Sequence, residues 1–423
     1  MRYPASGLVA VSVVIASVAA AAASGGCGDR KSGGLPPAEE WKAPAGSGGA
    51  SAAPAPDEQL ARCAATVFVA DAVRDGNLPT GILEQLAGVP DREAIVVLRA
   101  LQHAAARFPV ADQHAGLLAE STFRLVERGE TASALPLLER AVGLLGRGTD
   151  HEMRASIAAA TIARTYGRLG DASAVERLGG TPFAGPFLAR GLAEGGHDTL
   201  ADDVYARLMT VGKLDPLAAA ELPVVDLVRG RLDLARARIA SRPADWRGVH
   251  ALILATAAVE RDHPEARALV AEAARELDAA PGAGPAMILE LSELQHAVGD
   301  TTGAAQRRAG LRVALASERD ERRAWQALSN LHGLALRAGV ADEANAIFAD
   351  LEARRAPPWM LALTRAQGLV ITGELKAAVE DVERMTTDLS PPRGVVYVEV
   401  LLRYFAGPRD PALERWLAEH FCR

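Results

Sequence analysis

Residue combinations that could carry chemistry are few in this sequence of 423 residues. No glycine-rich loop leads into Lys-Ser or Lys-Thr to hold a phosphate, no Cys-x-x-Cys pair could hold zinc, and no acidic loop has calcium-binding spacing. His151 and Glu152 begin like a metallopeptidase helix, but Ala155 stands where the second histidine is needed. The sequence therefore predicts no metal, no cofactor and no catalytic residue, and indicates a protein that is not an enzyme.

Charge and composition argue against a nucleic-acid partner. The formal net charge is -7, and aromatic residues make up only 4% of the chain. Without a basic stripe the chain lacks the electrostatic attraction that dominates phosphate binding, and few aromatic rings are available for base stacking. Basic partners or neutral protein surfaces fit this composition better.

A 34-residue repeat organises the C-terminal part of the chain. Gly339, Gly373 and Gly407 stand 34 residues apart, and two Pro-Pro pairs keep the same step. Each glycine is followed, five and nine residues later, by a small and a bulky residue: Ala344 and Phe348, Ala378 and Val382, Ala412 and Trp416. Because one helix-turn-helix unit cannot bury its apolar face alone, this period predicts stacked helical hairpins.

Weaker copies of the same marker extend the repeat upstream. They are Gly129 with Ala134, Gly196 with Ala201, Gly230 with Ala235, Gly299 with Ala304, the turn at Gly170, and the turn at Asp262, His263 and Pro264. Roughly nine hairpins of this size would cover residues 57–423. We therefore expect an all-α repeat domain over this range.

The pattern resembles the tetratricopeptide-repeat family, which shares the repeat length, the turn glycine, the alanine early in the second helix and the proline near the end. The first helices depart from the family's residue preferences. The resemblance implies a right-handed superhelical α-solenoid that docks a peptide or partner protein. The family's inward positions, and so the expected partner-binding residues, fall on Gln326, Ser329, Leu336, Met360, Leu363 and Gln367.

The N-terminus has the layout of an export signal, with Arg2 before an apolar run over residues 8–23. Gly26 and Cys27 resemble the lipobox of bacterial lipoproteins, although Ser24 departs from it. The resemblance implies a signal peptide at 1–26, acyl chains such as palmitate on Cys27, and, from Gly28, an outer-membrane location facing the periplasm. Residues 27–56 are rich in Gly, Ala, Pro and Ser and predict a disordered tether.

Two further expectations concern the ends of the repeat domain. Cys63 and Cys422 stand at opposite ends, and a disulfide needs Cα atoms within about 7 Å. Because the ends of an open solenoid rarely meet, we expect two separate cysteines. Aromatic residues concentrate near the C-terminus, where we expect them to cap the last repeat: Tyr397, Tyr404, Phe405, Trp416 and Phe421.

These observations favour a lipid-anchored protein-interaction scaffold of the bacterial envelope. One alternative is cleavage within the alanine tract at residues 19–23, which gives a soluble periplasmic or secreted adaptor. A second alternative is an envelope hydrolase whose dispersed Asp, Glu and His residues meet on folding. Clustered acids with perturbed titration would support that second alternative.

Overall fold

The computed structural model describes residues 55–75, 80–106, 111–132, 134–145, 152–171, 173, 184–210, 214, 216–280, 283–385 and 393–423. Regular structure in these ranges is helical throughout, which confirms the all-α prediction. No helix in the same ranges has the length and apolar character needed to cross a membrane. The predicted signal peptide, Cys27 and the tether up to residue 54 lie outside the described residues.

The N-terminal third contains α1 (Pro56–Asp75), the 3-10 helix η1 (Thr80–Gly88), α2 (Asp91–Ala105), α3 (Ala111–Glu127), α4 (Ala134–Leu145) and α5 (Glu152–Arg168). The middle contains α6 (Ala184–Glu194), α7 (Asp198–Thr210), α8 (Pro216–Ala219), α9 (Glu221–Val228), α10 (Leu232–Ala240), α11 (Ala244–Glu260) and α12 (Ala266–Ala279). The remainder contains α13 (Pro285–Ala297), α14 (Thr301–Ala316), α15 (Glu321–Arg337), α16 (Ala341–Ala353), α17 (Pro358–Thr372), α18 (Leu375–Glu383), α19 (Arg393–Ala406) and α20 (Pro411–Phe421).

Most helices pair into hairpins, and the hairpins stack side by side. The first helices of the hairpins are α3, α5, α6, α9, α11, α13, α15, α17 and α19, and each packs against the next in this order. Such stacking buries the apolar face that a single hairpin would leave exposed.

The turn glycines end the first helices in one shared conformation. Gly339 has a φ of 74° and Gly373 a φ of 89°, in the left-handed region that favours glycine. The next N–H then donates back to the carbonyl five residues earlier, as from Val340 to Ala335 at 2.9 Å. Five upstream corners repeat this geometry, at Gly129, Gly170, Gly196, Gly230 and Gly299. The predicted hairpin corners are confirmed at these seven glycines.

The small residue after each corner lies where helices approach closely. Ala344 and Ala378 are both 0% exposed, which confirms the predicted role of the repeat's alanine in packing. An alanine at such a position lets two helix backbones cross without a side chain between them.

The last hairpin departs from the predicted register. Gly407 lacks the left-handed conformation, and Ala412 is exposed. The helix after Gly407 begins four residues later, at Pro411, whereas the helix after Gly339 begins two residues later, at Ala341. Predicting Ala412 as an equivalent of Ala344 and Ala378 was therefore wrong, whereas Trp416 is half-buried like its counterpart Phe348.

The two ends of the hairpin array meet at a closing interface, formed by α1 against α19 and α20. Leu60 and Phe68 of α1 share one apolar cluster with Tyr397 and Phe421. The helix η1 contacts both α3 and α19, so the N-terminal segment fills the space between the first and last hairpins. The predicted outer cap is therefore wrong: Tyr397, Tyr404, Phe405 and Phe421 are buried in the cluster that they share with α1, and Trp416 is half-buried beside it.

A disulfide joins Cys63 of α1 to Cys422, with a Cα–Cα distance of 5.1 Å. The expectation of two separate cysteines was wrong because it assumed an open array. Polar contacts accompany the disulfide across the closing interface. The N–H of Gly394 donates to Asp71 at 2.7 Å, and Arg409 pairs with Glu93 at 2.9 Å.

Gly394→Ala is expected to destabilise the fold by about 1–3 kcal/mol, because overpacking forces backbone shifts. A Cβ at Gly394 would lie 2.1 Å from the Cα of Phe68. Chemical denaturation followed by circular dichroism measures the change. The matched control is Gly310→Ala in α14, where a Cβ meets nothing within 4 Å. It should be stabilising by about 0.5–1 kcal/mol, and equal effects from the two variants would contradict the closely packed interface.

Candidate functional site

Among several groups of buried polar side chains on the first helices, one surrounds Glu194. Its side chain is 1% exposed. The carboxylate pairs with Arg164 at 2.7 Å, with Arg168 and Arg190 at 2.8 Å each, and with Arg261 at 3.1 Å. We call these residues, together with Glu221, the Glu194 network. It joins α5 and α6 to the end of α11.

The arginine at the centre of this network has a second acidic partner. Arg190 is 1% exposed, and its guanidinium donates to Glu221 of α9 at 2.7 Å. The other end of the network contacts α3, where Arg164 and Arg168 lie 4.5 and 4.8 Å from the ring centre of Phe123. The network therefore spans the four successive hairpins that begin with α5, α6, α9 and α11, and it contacts a fifth through α3.

Electrostatics keep the Glu194 network ionised. Burial alone would raise the pKa of Glu194, but Arg164, Arg190 and Arg168 outweigh it and hold that pKa well below the usual range. Burial would likewise lower the pKa of Arg190, yet Glu221 and Glu194 raise it above its ordinary value. Both carboxylates are occupied by arginines, so the arrangement is suited to holding helices together and not to proton transfer.

A second polar group lies at the closing interface around Glu399 of α19, which is 6% exposed. Its Oε1 accepts hydrogen bonds from Gln367 of α17 at 2.9 Å and from Gln85 of η1 at 3.1 Å. Within the described part of the chain, its Oε2 has no hydrogen-bond partner. Burial raises the pKa of Glu399 to about 7, although Gln367, Gln85 and Arg337 each act to lower it. This carboxyl group therefore titrates near neutral pH.

The stability of the protein should depend on pH through Glu399. The folded state raises its pKa from 4.5 to about 7, so the folded protein holds the proton more tightly than the unfolded chain. The contribution of Glu399 to the free energy of unfolding is fully present below pH 4.5. This contribution falls as the pH rises towards 7, by about 3 kcal/mol in total. Glu399→Gln should remove this loss, as measured by urea denaturation at pH 5 and pH 8.

The matched control for this titration is Glu380→Gln, on an exposed position of α18. We expect the control to keep the wild-type difference in stability between the two pH values. A Glu399→Gln variant with an unchanged difference would show that Glu399 is not the titrating group.

The structure places the six predicted partner-binding residues in two classes. Ser329 and Met360 are buried, and the hydroxyl of Ser329 lies 2.7 Å from that of Thr364, so these side chains pack between α15 and α17. The other four are at least partly accessible: Gln326, Leu336, Leu363 and Gln367. Gln367 brings the accessible group next to the buried carboxyl of Glu399.

Sequence reasoning missed both polar groups. Arg190 and Glu399 are charged residues with apolar neighbours on both sides in their first helices, and Arg403 stands at helical spacing from Glu399. Arg403 is exposed in the structure, whereas Glu399 is turned into the interface. A lone charge flanked on both sides by apolar residues was the available signal, because such a charge needs a partner from another helix.

No protein-family model and no curated protein matches this sequence. Among the described residues, no group of three or more His, Cys, Asp or Glu side chains is placed to hold a metal ion.

Proposed function

We propose that this protein is an extracytoplasmic scaffold of the bacterial envelope, which docks a protein or peptide and does no catalysis. The observation that carries the proposal is the disulfide between Cys63 and Cys422. Disulfides persist in oxidising compartments outside the cytosol. The disulfide supports the same compartment as the export signal predicted at the N-terminus, and the two arguments come from unconnected parts of the chain.

The proposed docking surface consists of Gln326, Leu336, Leu363 and Gln367. These residues lie on α15 and α17, two neighbouring first helices. Amide and aliphatic side chains together suit an extended peptide or an amphipathic helix. The net charge of -7 favours a basic or neutral partner over an acidic one. A right-handed superhelical path of tetratricopeptide type would present this surface inside the curve of the array.

A photo-crosslinking amino acid at position 326 tests the docking surface in living cells. We expect an adduct with an envelope protein, identified by mass spectrometry. The matched control is the same reagent at Val313 of α14, which is 75% exposed and outside the proposed surface. Identical adducts at both positions, or none at position 326, would contradict docking on this surface.

Membrane attachment through acyl chains on Cys27 is the second part of the proposal. Several acyl chains, at about 0.8 kcal/mol per buried methylene, make anchoring effectively permanent. Labelling cells with a clickable palmitate should mark the wild type and leave Cys27→Ser unmarked. Equal labelling of both proteins, or of neither, would instead favour the soluble periplasmic or secreted adaptor.

A further inference from the structure

Cys422 is the more exposed of the two disulfide-bonded residues. Cys422 is exposed, while Cys63 is half-buried on α1. Thiol–disulfide exchange needs access to one of the two sulfur atoms. An external thiol would therefore approach the bond from the side of Cys422.

The disulfide secures α1, whose buried apolar residues belong to a single apolar cluster. That cluster contains the buried residues of α1 and α19, including Phe68 and Val396. The three other apolar clusters of the described residues contain no residue from α1 or α19. In stacked hairpins, stability depends on nearest-neighbour contacts. Separation of α1 from α19 therefore leaves the packing of the middle hairpins intact.

We propose that the Cys63–Cys422 disulfide is a reducible latch on the closing interface. Its reduction allows α1 to separate from α19 and α20 while the middle hairpins stay folded. The array then opens between its first and last helices, and the apolar faces of α1 and α19 become accessible. This inference does not depend on the lipid anchor or on the proposed docking surface.

The reaction partner is a dithiol reductant of the envelope. One of its thiolates attacks the sulfur of Cys422, so a mixed disulfide forms and Cys63 leaves as a thiolate that takes up a proton. The second thiol of the reductant then attacks the mixed disulfide and releases Cys422. Two electrons and two protons pass to the protein, and the reductant becomes a disulfide.

Hydrogen exchange of the purified full-length protein tests the latch, with dithiothreitol as the reductant. Reduction should speed amide exchange in α1 at least tenfold more than it speeds exchange in α11 and α12. Unchanged exchange in α1 would overturn the proposal, because the interface would then stay closed without the bond. Equal acceleration everywhere, or complete unfolding, would overturn it too, because the disulfide would then be a general stabiliser.

A variant with Cys63→Ser and Cys422→Ser separates loss of the bond from other effects of the reductant. Without dithiothreitol it should exchange like the reduced wild type, and adding the reductant should change nothing further. Continued sensitivity to dithiothreitol would contradict the latch. If this variant fails to fold, reduction of the already folded wild type still decides between the outcomes.

Discussion

Glu194→Gln is expected to lower the free energy of unfolding by about 3–5 kcal/mol. This is the range for removing one partner of a buried ion pair and leaving the other charge uncompensated. The carboxylate is 1% exposed and pairs with four arginines. Glutamine keeps the shape but removes the negative charge, so Arg164, Arg168 and Arg190 would repel one another in a buried site. Urea denaturation followed by circular dichroism measures the loss.

The control for this prediction is Glu272→Gln, which removes an ion pair between the second helices α10 and α12. Glu272 pairs with Arg236 at 2.8 Å, and both side chains are partly exposed. Pairs of this kind contribute about 0–1 kcal/mol. Similar losses for the two variants would contradict a special structural role for the Glu194 network.

Cys63→Ser is expected to lower the free energy of unfolding by about 2–5 kcal/mol, the usual effect of removing a native disulfide. The two cysteines are 359 residues apart, so the bond constrains the unfolded chain strongly. Denaturation under non-reducing conditions, with any free thiol alkylated, measures the change.

Each single variant removes the same bond, so Cys422→Ser and the double variant should show the same loss as Cys63→Ser. Reductant should destabilise only the wild type. Losses that add in the double variant would mean that the two residues act separately, and would contradict the disulfide.

The sequence predicts the hairpins well because their signals are local. Gly339 and Gly373 mark corners whose geometry needs a left-handed residue, and Ala344 and Ala378 mark the close contact that follows. Each of these features depends on residues within one repeat.

Closure of the array was missed because it depends on residues at opposite ends of the chain. Phe68 and Gly394 come from opposite ends of the hairpin array, and their backbones are in close contact. Small structural deviations in each hairpin add up along the array and decide whether its two ends meet. No short segment of the sequence encodes that sum. Two features did point to closure: the apolar run around Val396 and Val400, which is buried on both sides, and the two cysteines at the ends.

The candidate site was only partly predictable for a related reason. The inward positions expected from the resemblance to tetratricopeptide repeats place Gln326 and Gln367 on the first helices. Those positions do not show that Met360 is buried by its neighbours. The Glu399 site needs Gln85 from the far end of the chain, so it exists only in the closed array.

Peptide mapping of the monomeric protein under non-reducing conditions tests closure of the array most directly. Free thiols are alkylated first, and the digest is analysed by mass spectrometry. We predict one linked peptide pair containing Cys63 and Cys422, converted to two separate peptides by reduction. Alkylation of both cysteines in the folded monomer, or linkage between them only in dimers, would contradict the closed array.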